Sequence, residues 1–266
     1  MQTKSLKQLI AAALLPSVSL AQAPSDRDEG WDVRAAVYGF FPSIGGTTRY
    51  AAPGGGEIDI DADDLVRNAE LAGMAAVEAQ KRRWGLFADA IYMDVGDDLS
   101  GSTTLAQGNA PLPPGITGDA SLDVEATVFT IAANLRLVDG ERSTLDTFFG
   151  VRQLWAEGTL DATLLSPIGP IAAASSTRDG DSVDGLVGIK GKLAFGDRNQ
   201  WFVPFYVDVG AGDADRTSQA ATGIGYTTRW GEVFATYRYL DYDMESDRSI
   251  ADIDFRGPAI GVAYRF

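Results

Sequence analysis

The densest group of side chains able to do chemistry is an acidic cluster, Asp59, Asp61, Asp63 and Asp64. Two suitably spaced carboxylates can act as acid and base or as nucleophile, as they do in glycoside hydrolysis. A run of acidic residues is more often a solvated loop, however, and this cluster follows three consecutive glycines at 54–56. We therefore favour the loop interpretation and predict no catalytic residue.

Metal binding is the second chemistry that these aspartates suggest. Asp59, Asp61 and Asp63 have the alternate spacing that opens an EF-hand calcium loop. The match ends there, because Asp64 stands where an EF-hand has glycine, and Glu70, the twelfth residue, falls in a predicted strand. The chain contains no cysteine and no histidine, the usual ligands of zinc and other transition metals. The sequence predicts no metal site and no cofactor.

A second set of ionisable residues alternates with apolar residues along the chain. It comprises Arg34, Glu78, Arg82, Asp89, Arg136, Arg152, Lys190, Lys192, Asp208 and Arg238. In a closed barrel these side chains would line the lumen, either as ion pairs that fill it or as the wall of a charge-selective pore. Ten strands lie nearer to a filled barrel of about eight than to an open porin of about sixteen, so we favour the ion pairs.

Alternation of apolar and polar residues predicts the strands that would position these charges. The predicted strands are 31–42, 70–82, 84–93, 124–137, 144–157, 183–195, 201–210, 218–229, 233–242 and a last one that includes 258–266. Eight or twelve strands also fit the pattern, because the long connections can hide a pair. Pro204 cannot donate a backbone hydrogen bond, so we expect a bulge there.

The connections between these strands alternate in length. Three are long, at 43–68, 97–121 and 158–181, and most of the others span a few residues. We expect a small hairpin of 47–50 with 57–61, helical turns within 63–69, and an apolar hairpin tip, Leu164 to Ile171, over the barrel mouth. Long outer loops and short inner turns are typical of a membrane barrel with both ends in the periplasm. A soluble β-sandwich, the alternative, has no such requirement.

Aromatic residues mark the ends of the apolar strand faces. They are Trp31, Trp84, Tyr92, Trp155, Trp201, Tyr237, Tyr239, Tyr264 and Phe266. Trp84 and Tyr92 lie eight residues apart on one face, as expected at the two edges of an apolar band. The final segment, 258–266, alternates bulky and small residues and stops on Phe266. These features resemble those of small bacterial outer-membrane β-barrels of the porin-like or OmpA type, in which a last strand ending in Phe is the assembly signal.

The resemblance implies an all-β protein, an antiparallel up-and-down transmembrane β-barrel of about ten strands in the bacterial outer membrane. The partners it implies are outer-membrane lipid, lipopolysaccharide and the barrel-assembly machinery, which would bind the strand ending in Phe266. Enzymes of this class, such as the omptin proteases and the barrel phospholipase, mostly depend on a histidine. This chain has none, so we expect no enzyme.

Composition divides the chain and excludes one class of partner. Residues 1–23 have the charged start, apolar stretch and Ala21-Gln22-Ala23 ending of a cleaved signal peptide. We expect a short periplasmic segment at 24–30 and the barrel at 31–266. The formal net charge of −15 argues against binding to nucleic acid.

The sequence supports two functions of different kinds. The first is a structural or narrow-pore role for small solutes. The alternative is a surface receptor or adhesin that acts through the loops 43–68, 97–121 and 158–181.

Overall fold

The computed structural model describes residues 30–48, 56–60, 69–98, 117–166, 168–244 and 250–266. Its strands are β1 (Asp32–Phe40), β2 (Ser43–Thr48), β3 (Gly56–Ile60), β4 (Ala69–Lys81), β5 (Trp84–Asp98), β6 (Thr117–Asp139), β7 (Ser143–Ser166), β8 (Gly169–Phe195), β9 (Trp201–Gly212), β10 (Arg216–Thr227), β11 (Glu232–Asp243) and β12 (Ile250–Arg265). The residues described include no helix long and apolar enough to cross a membrane.

Ten of these strands close into an antiparallel barrel. The order is β1-β4-β5-β6-β7-β8-β9-β10-β11-β12, and β12 returns to pair with β1. In that closing pair Ala35 lies opposite Tyr264 and Val37 opposite Val262. A closed ring satisfies the backbone hydrogen bonds within the sheet, which is what a lipid environment demands of a β-structure. The prediction of an all-β, up-and-down barrel of about ten strands is confirmed.

The first long connection contains the predicted hairpin. β2 pairs with β3, with Thr47 opposite Glu57, and β2 also extends the edge of β12, with Ile44 opposite Phe255. Asp59 lies in β3 opposite Gly45. The other three aspartates of the acidic cluster fall outside the described residues. Of the helical turns expected at 63–69, residues 63–68 also fall outside them, and Ala69 begins β4.

The second and third long connections are shorter than predicted, because three strands run far beyond the barrel. β6, β7 and β8 have 23, 24 and 27 residues, whereas a strand needs about 9–11 to cross a membrane. Residues 117–121 belong to β6, and most of 158–181 continues β7 and β8, with Thr159 opposite Thr177. Alternation fails as a guide here, since a strand segment outside lipid needs no apolar face. We call this projecting part of β6, β7 and β8 the outer sheet.

The tip of the longest hairpin lies within the apolar segment predicted to form one. Ser166 pairs with Gly169 across the turn. Ile168 is 98% exposed, so this side chain is not packed over the barrel mouth as expected. The tip instead ends the outer sheet.

The opposite end of the barrel has tight turns. Arg82 and Asn199 adopt positive φ angles of 55° and 53°, and Gly196 adopts 87°. Pro204 causes no bulge, which corrects the prediction: it lies opposite Lys192 in unbroken register. Pairing with β10 lapses only beside Pro204, where the Thr222 hydroxyl donates a hydrogen bond to the Pro204 carbonyl oxygen.

The outer surface of the barrel is apolar. Bulky side chains exposed on it include Val37, Val77, Leu86, Ile131, Phe149, Val187, Val207 and Ile260. Eight of the nine predicted girdle aromatics are exposed on this surface as well. The ninth, Tyr92, is half-buried, and its hydroxyl donates to Asp94 and Glu125. So large an apolar surface is stable only where lipid covers it.

Candidate functional site

The interior of the barrel has two halves that differ in composition. The half away from the tight turns is filled by buried apolar side chains, which we call the outer core. Its members are Phe40, Met74, Ile91, Met93, Ala126, Val128, Leu154, Ala156, Ala214, Leu240, Tyr242, Met244, Ile253, Phe255 and Ala259. The half next to the tight turns encloses a cavity of about 280 Å³, which we call the inner cavity.

The inner cavity is lined by strand ends that adjoin the tight turns. Gln80 stands near the end of β4, Thr144 near the start of β7, and Glu232 at the start of β11. Its lining extends to Asp32 and Arg265, a half-exposed ion pair with an N–O distance of 3.3 Å. Because this pair lies at the rim, the cavity opens to solvent at the tight-turn end.

One group of charges in the cavity centres on Glu232. Its carboxylate accepts hydrogen bonds from the Arg34 guanidinium at 2.8 Å and from the Lys192 ammonium at 3.0 Å. Both cations adjoin aromatic rings: Lys192 Nζ lies 5.3 Å from the centre of the Phe202 ring, and Arg34 Cζ lies 5.9 Å from that of Phe234. Such contacts between a cation and an aromatic face add to the ion pairs.

A second group centres on Asp146. The Arg136 guanidinium donates to it at 2.8 Å, and Lys190 Nζ lies 3.9 Å from it and 2.5 Å from Glu78. The Asn134 amide donates to Asp146 at 3.3 Å. In this group two cations face two carboxylates, so the charges balance.

Two deeper ion pairs separate the cavity from the outer core. The Arg152 guanidinium makes a two-pronged contact with Asp208, and both side chains are wholly buried. The hydroxyl oxygens of Thr130 and Thr217 accept further hydrogen bonds from Arg152. A buried charge is tolerated only with such complete pairing, since its desolvation otherwise costs several kcal/mol.

The second deep pair joins opposite walls. Arg238 of β11 donates to Asp89 of β5 at 3.0 Å and contacts the Met74 sulfur at 3.0 Å. In the ring of ten strands β5 and β11 lie four strands apart by the shorter path. The pair therefore bridges the lumen.

Comparisons with known proteins give no close relative. No protein-family model matches the chain, and no curated protein matches it. Its fold is similar to that of the outer membrane protease OmpT from Escherichia coli, at 10% identity over 92% of this chain and 99% of that chain, with a TM-score of 0.49. It is also similar to Ail, the attachment invasion locus protein of Yersinia pestis, at 13% identity over 90% and 99%, with a TM-score of 0.34. Sequence identities and TM-scores this low say nothing about the function of this chain.

The structural class follows from the fold itself, without these comparisons. The antiparallel ring is closed, and its apolar exterior carries aromatic residues at the ends of the strand faces. The chain is a transmembrane β-barrel of the kind that bacterial outer membranes contain. In this class the tight turns lie on the periplasmic side and the long hairpins outside the cell. We therefore expect the inner cavity to face the periplasm and the outer sheet to project from the cell.

The structure places nine of the ten predicted lumen residues in the barrel interior. The exception is Arg82, which is exposed in the turn between β4 and β5 and is not a lumen residue. Its alternate position in the sequence continues the inward face of β4, but the strand ends one residue earlier.

Sequence reasoning missed two carboxylates on which the cavity depends. Asp146 shares the inward face of β7 with Arg152, a signal that was available in the alternation. Glu232 falls between the predicted strands 218–229 and 233–242, although it is the first residue of β11. A residue at a strand end shows no alternation on one side, so the pattern alone does not settle where its side chain points.

Five interior carboxylates each contact a cation, and they are Glu78, Asp89, Asp146, Asp208 and Glu232. Within the described ranges, no group of three or more acidic residues is arranged to hold a metal ion.

Proposed function

We propose that this barrel has a structural role in the outer membrane and does not conduct solutes. The observation that carries the proposal is the outer core. Leu154 of β7, Met93 of β5 and Leu240 of β11 come from separate walls of the ring, and each is 0% exposed. Interiors packed in this way leave no continuous water path.

The deep ion pairs support the same function. A charge-selective pore presents its charged groups to passing ions. Here Arg152 and Asp208 are wholly buried against each other, and the Arg238–Asp89 pair crosses the lumen. These charged groups are paired with each other between the inner cavity and the outer core, and Asp89 and Arg238 form part of the cavity wall.

Conductance in planar lipid bilayers tests this function. We expect the purified barrel to be silent across salts and voltages. The double variant Leu240→Ala, Tyr242→Ala, which removes two side chains of the outer core, serves to show that the assay detects an opened lumen. Regular unitary currents from the unaltered barrel would contradict the closed interior and favour a narrow pore.

We also propose that the barrel catalyses no reaction. The sequence supplies no histidine, and each interior carboxylate named above contacts a cation. Assays of the purified barrel against peptide, phospholipid and glycoside substrates check this. Turnover that Asp89→Asn or Asp146→Asn abolishes would overturn it.

A second function is favoured by the outer sheet. β7 and β8 pair from Ser143–Leu193 to Ser166–Gly169, with one register shift between Leu164 and Leu165. At about 3.3 Å per residue this hairpin is far longer than the hydrocarbon layer of about 30 Å. A paired sheet that projects beyond the membrane is suited to contact other surfaces, as the receptor or adhesin alternative requires.

Shortening this hairpin tests the second function. Residues 158–178 are replaced by Asn-Gly, a sequence that favours a two-residue hairpin turn and rejoins the paired residues Glu157 and Asp179. Cells with the short hairpin should bind less to host-cell and abiotic surfaces, at equal amounts of barrel in the membrane. Equal binding by the two forms would remove the receptor or adhesin function.

A further inference from the structure

The two charge groups of the inner cavity differ in balance. In the Asp146 group, Lys190 and Arg136 face Asp146 and Glu78. In the other, Arg34 and Lys192 share the single carboxylate of Glu232. The rim pair Asp32 and Arg265 is neutral. The Arg34–Lys192–Glu232 group therefore carries one surplus positive charge, although the whole chain is strongly acidic.

The two cations of this group have hydrogen-bond donors to spare. Arg34 uses Nε and Nη2 on Glu232, and Lys192 uses its ammonium once, on the same carboxylate. Among the residues that the structure describes, none accepts from Arg34 Nη1 or takes a second bond from Lys192. Their side chains are 31% and 33% exposed and line the cavity. Spare donors with a surplus charge are the features that recognise a carboxylate.

The wall next to these donors is aromatic. Phe202 and Phe234 lie under the two cations, and the Tyr38 ring packs edge-on against Phe234 at 5.3 Å. A ligand ring can adopt the same edge-to-face contacts, which are favourable at about 4.5–7 Å between ring centres. The cavity of about 280 Å³ lies at the small end of the range of roughly 300–1,000 Å³ for ligand sites.

We propose that the inner cavity binds a small aromatic monocarboxylate that enters from the periplasm. Its carboxylate bonds to Arg34 and Lys192, and its ring lies against Phe202 and Phe234. The proposal does not depend on the closed lumen. A conducting barrel that binds such a ligand would contradict only the structural function, and a silent barrel that binds none would contradict only this site.

Titration calorimetry of the full barrel in detergent tests the site with benzoate as the probe. We expect saturable one-to-one binding that weakens as salt rises, because surface ion pairing is screened. Acetate, which lacks the ring, should bind at least about tenfold more weakly because it loses the contacts with Phe202 and Phe234. Benzylamine, which has the ring but the opposite charge, should also bind at least about tenfold more weakly because its ammonium cannot accept hydrogen bonds from Arg34 and Lys192. No saturable heat with benzoate, or equal binding of all three, overturns the proposal.

Two substitutions in the site should act in opposite directions. Lys192→Gln removes a spare donor and the surplus charge, and should weaken benzoate binding by about tenfold or more. Glu232→Gln removes the carboxylate that competes with the ligand for Arg34 and Lys192, and should tighten benzoate binding. Arg198→Gln, in the exposed turn before β9, makes the same charge change as Lys192→Gln outside the cavity and should leave the affinity unchanged.

Folding of each variant is checked by the shift in gel mobility on heating, which is independent of the ligand. Glu232→Gln keeps the side-chain shape and should raise the affinity, so it tests the site even if Lys192→Gln folds poorly. Equal benzoate affinity in the Lys192→Gln and Arg198→Gln barrels would show that binding, if any, takes place elsewhere.

Discussion

The two halves of the barrel interior are built on the same inward strand faces but differ in the side chains they contain and in their access to water. Along the inward face of β7, Asp146 and Phe148 are followed by Arg152, Leu154 and Ala156. The charged residue Asp146 lies nearest the tight turns. The fully paired Arg152 lies deeper, and the apolar Leu154 and Ala156 lie farthest from the turns. Position along the strand sets access to water, and access to water sets which side chains the interior accepts.

The difference is one of desolvation. Glu232 and its two cations keep part of their exposure, so water still screens them and their pairing is worth little to stability. Arg152 and Asp208 keep none, so each needs the other. Substitutions should therefore lower the free energy of unfolding most at the buried interior positions, and progressively less towards the tight turns.

The largest effect is expected at the deep ion pair. Arg152→Met leaves Asp208 buried without a cation and should lower the free energy of unfolding by about 3–5 kcal/mol. The double variant Arg152→Met, Asp208→Leu should recover most of this, since it removes both charges. Urea unfolding in lipid vesicles, followed by tryptophan fluorescence, measures both. A single variant as stable as the unaltered barrel would mean that water reaches the pair.

The next effect is expected in the outer core. Leu240 is wholly buried, and Leu240→Ala should cost about 2–5 kcal/mol through lost contacts and the space left behind. Leu193→Ala, on the lipid-facing surface, is the matched control and should cost less, because lipid fills the gap. The same unfolding measurement compares them, and equal losses would show that the outer core is loosely packed.

Much of this gradient was predictable from the sequence. Alternation gave the ten strands, and Asp89, Arg152 and Asp208 fall on inward faces for the same reason that Val37 and Val187 fall on outward ones. Period two is a local property of the backbone, so it can be read without knowing the partners.

The pairing inside the barrel was not predictable. Arg238 and Asp89 are 149 residues apart in sequence, and their contact depends on ring closure and strand stagger, which alternation does not specify. The sharing of Glu232 by Lys192 and by Arg34, which is 198 residues away in sequence, depends on the same closure. The length of β7 and β8 was missed for another reason, since no lipid imposes a pattern on their outer parts.

A smaller loss is expected where the interior is crowded between its two halves. At Gly188 of β8 an added Cβ would meet the Val207 carbonyl oxygen at 2.3 Å and the Phe148 ring at 2.5 Å. Gly188→Ala should therefore cost about 1–3 kcal/mol by overpacking. Gly185→Ala on the same strand meets only the Ala211 carbonyl oxygen, at 3.8 Å, and should be close to neutral. A Gly188→Ala barrel as stable as the control would show that the β9 backbone at Val207 and the Phe148 ring both shift to make room.

The smallest effect is expected at the tight-turn end. Glu232→Gln keeps an oxygen that accepts from Arg34 and Lys192 and removes only a charge that water already screens. The free energy of unfolding should fall by less than about 1 kcal/mol, and by still less at high salt. A loss as large as that of Arg152→Met would mean that the inner cavity is as dry as the outer core. The contrast between the two halves would then lie in the chemistry of their side chains and not in their access to water.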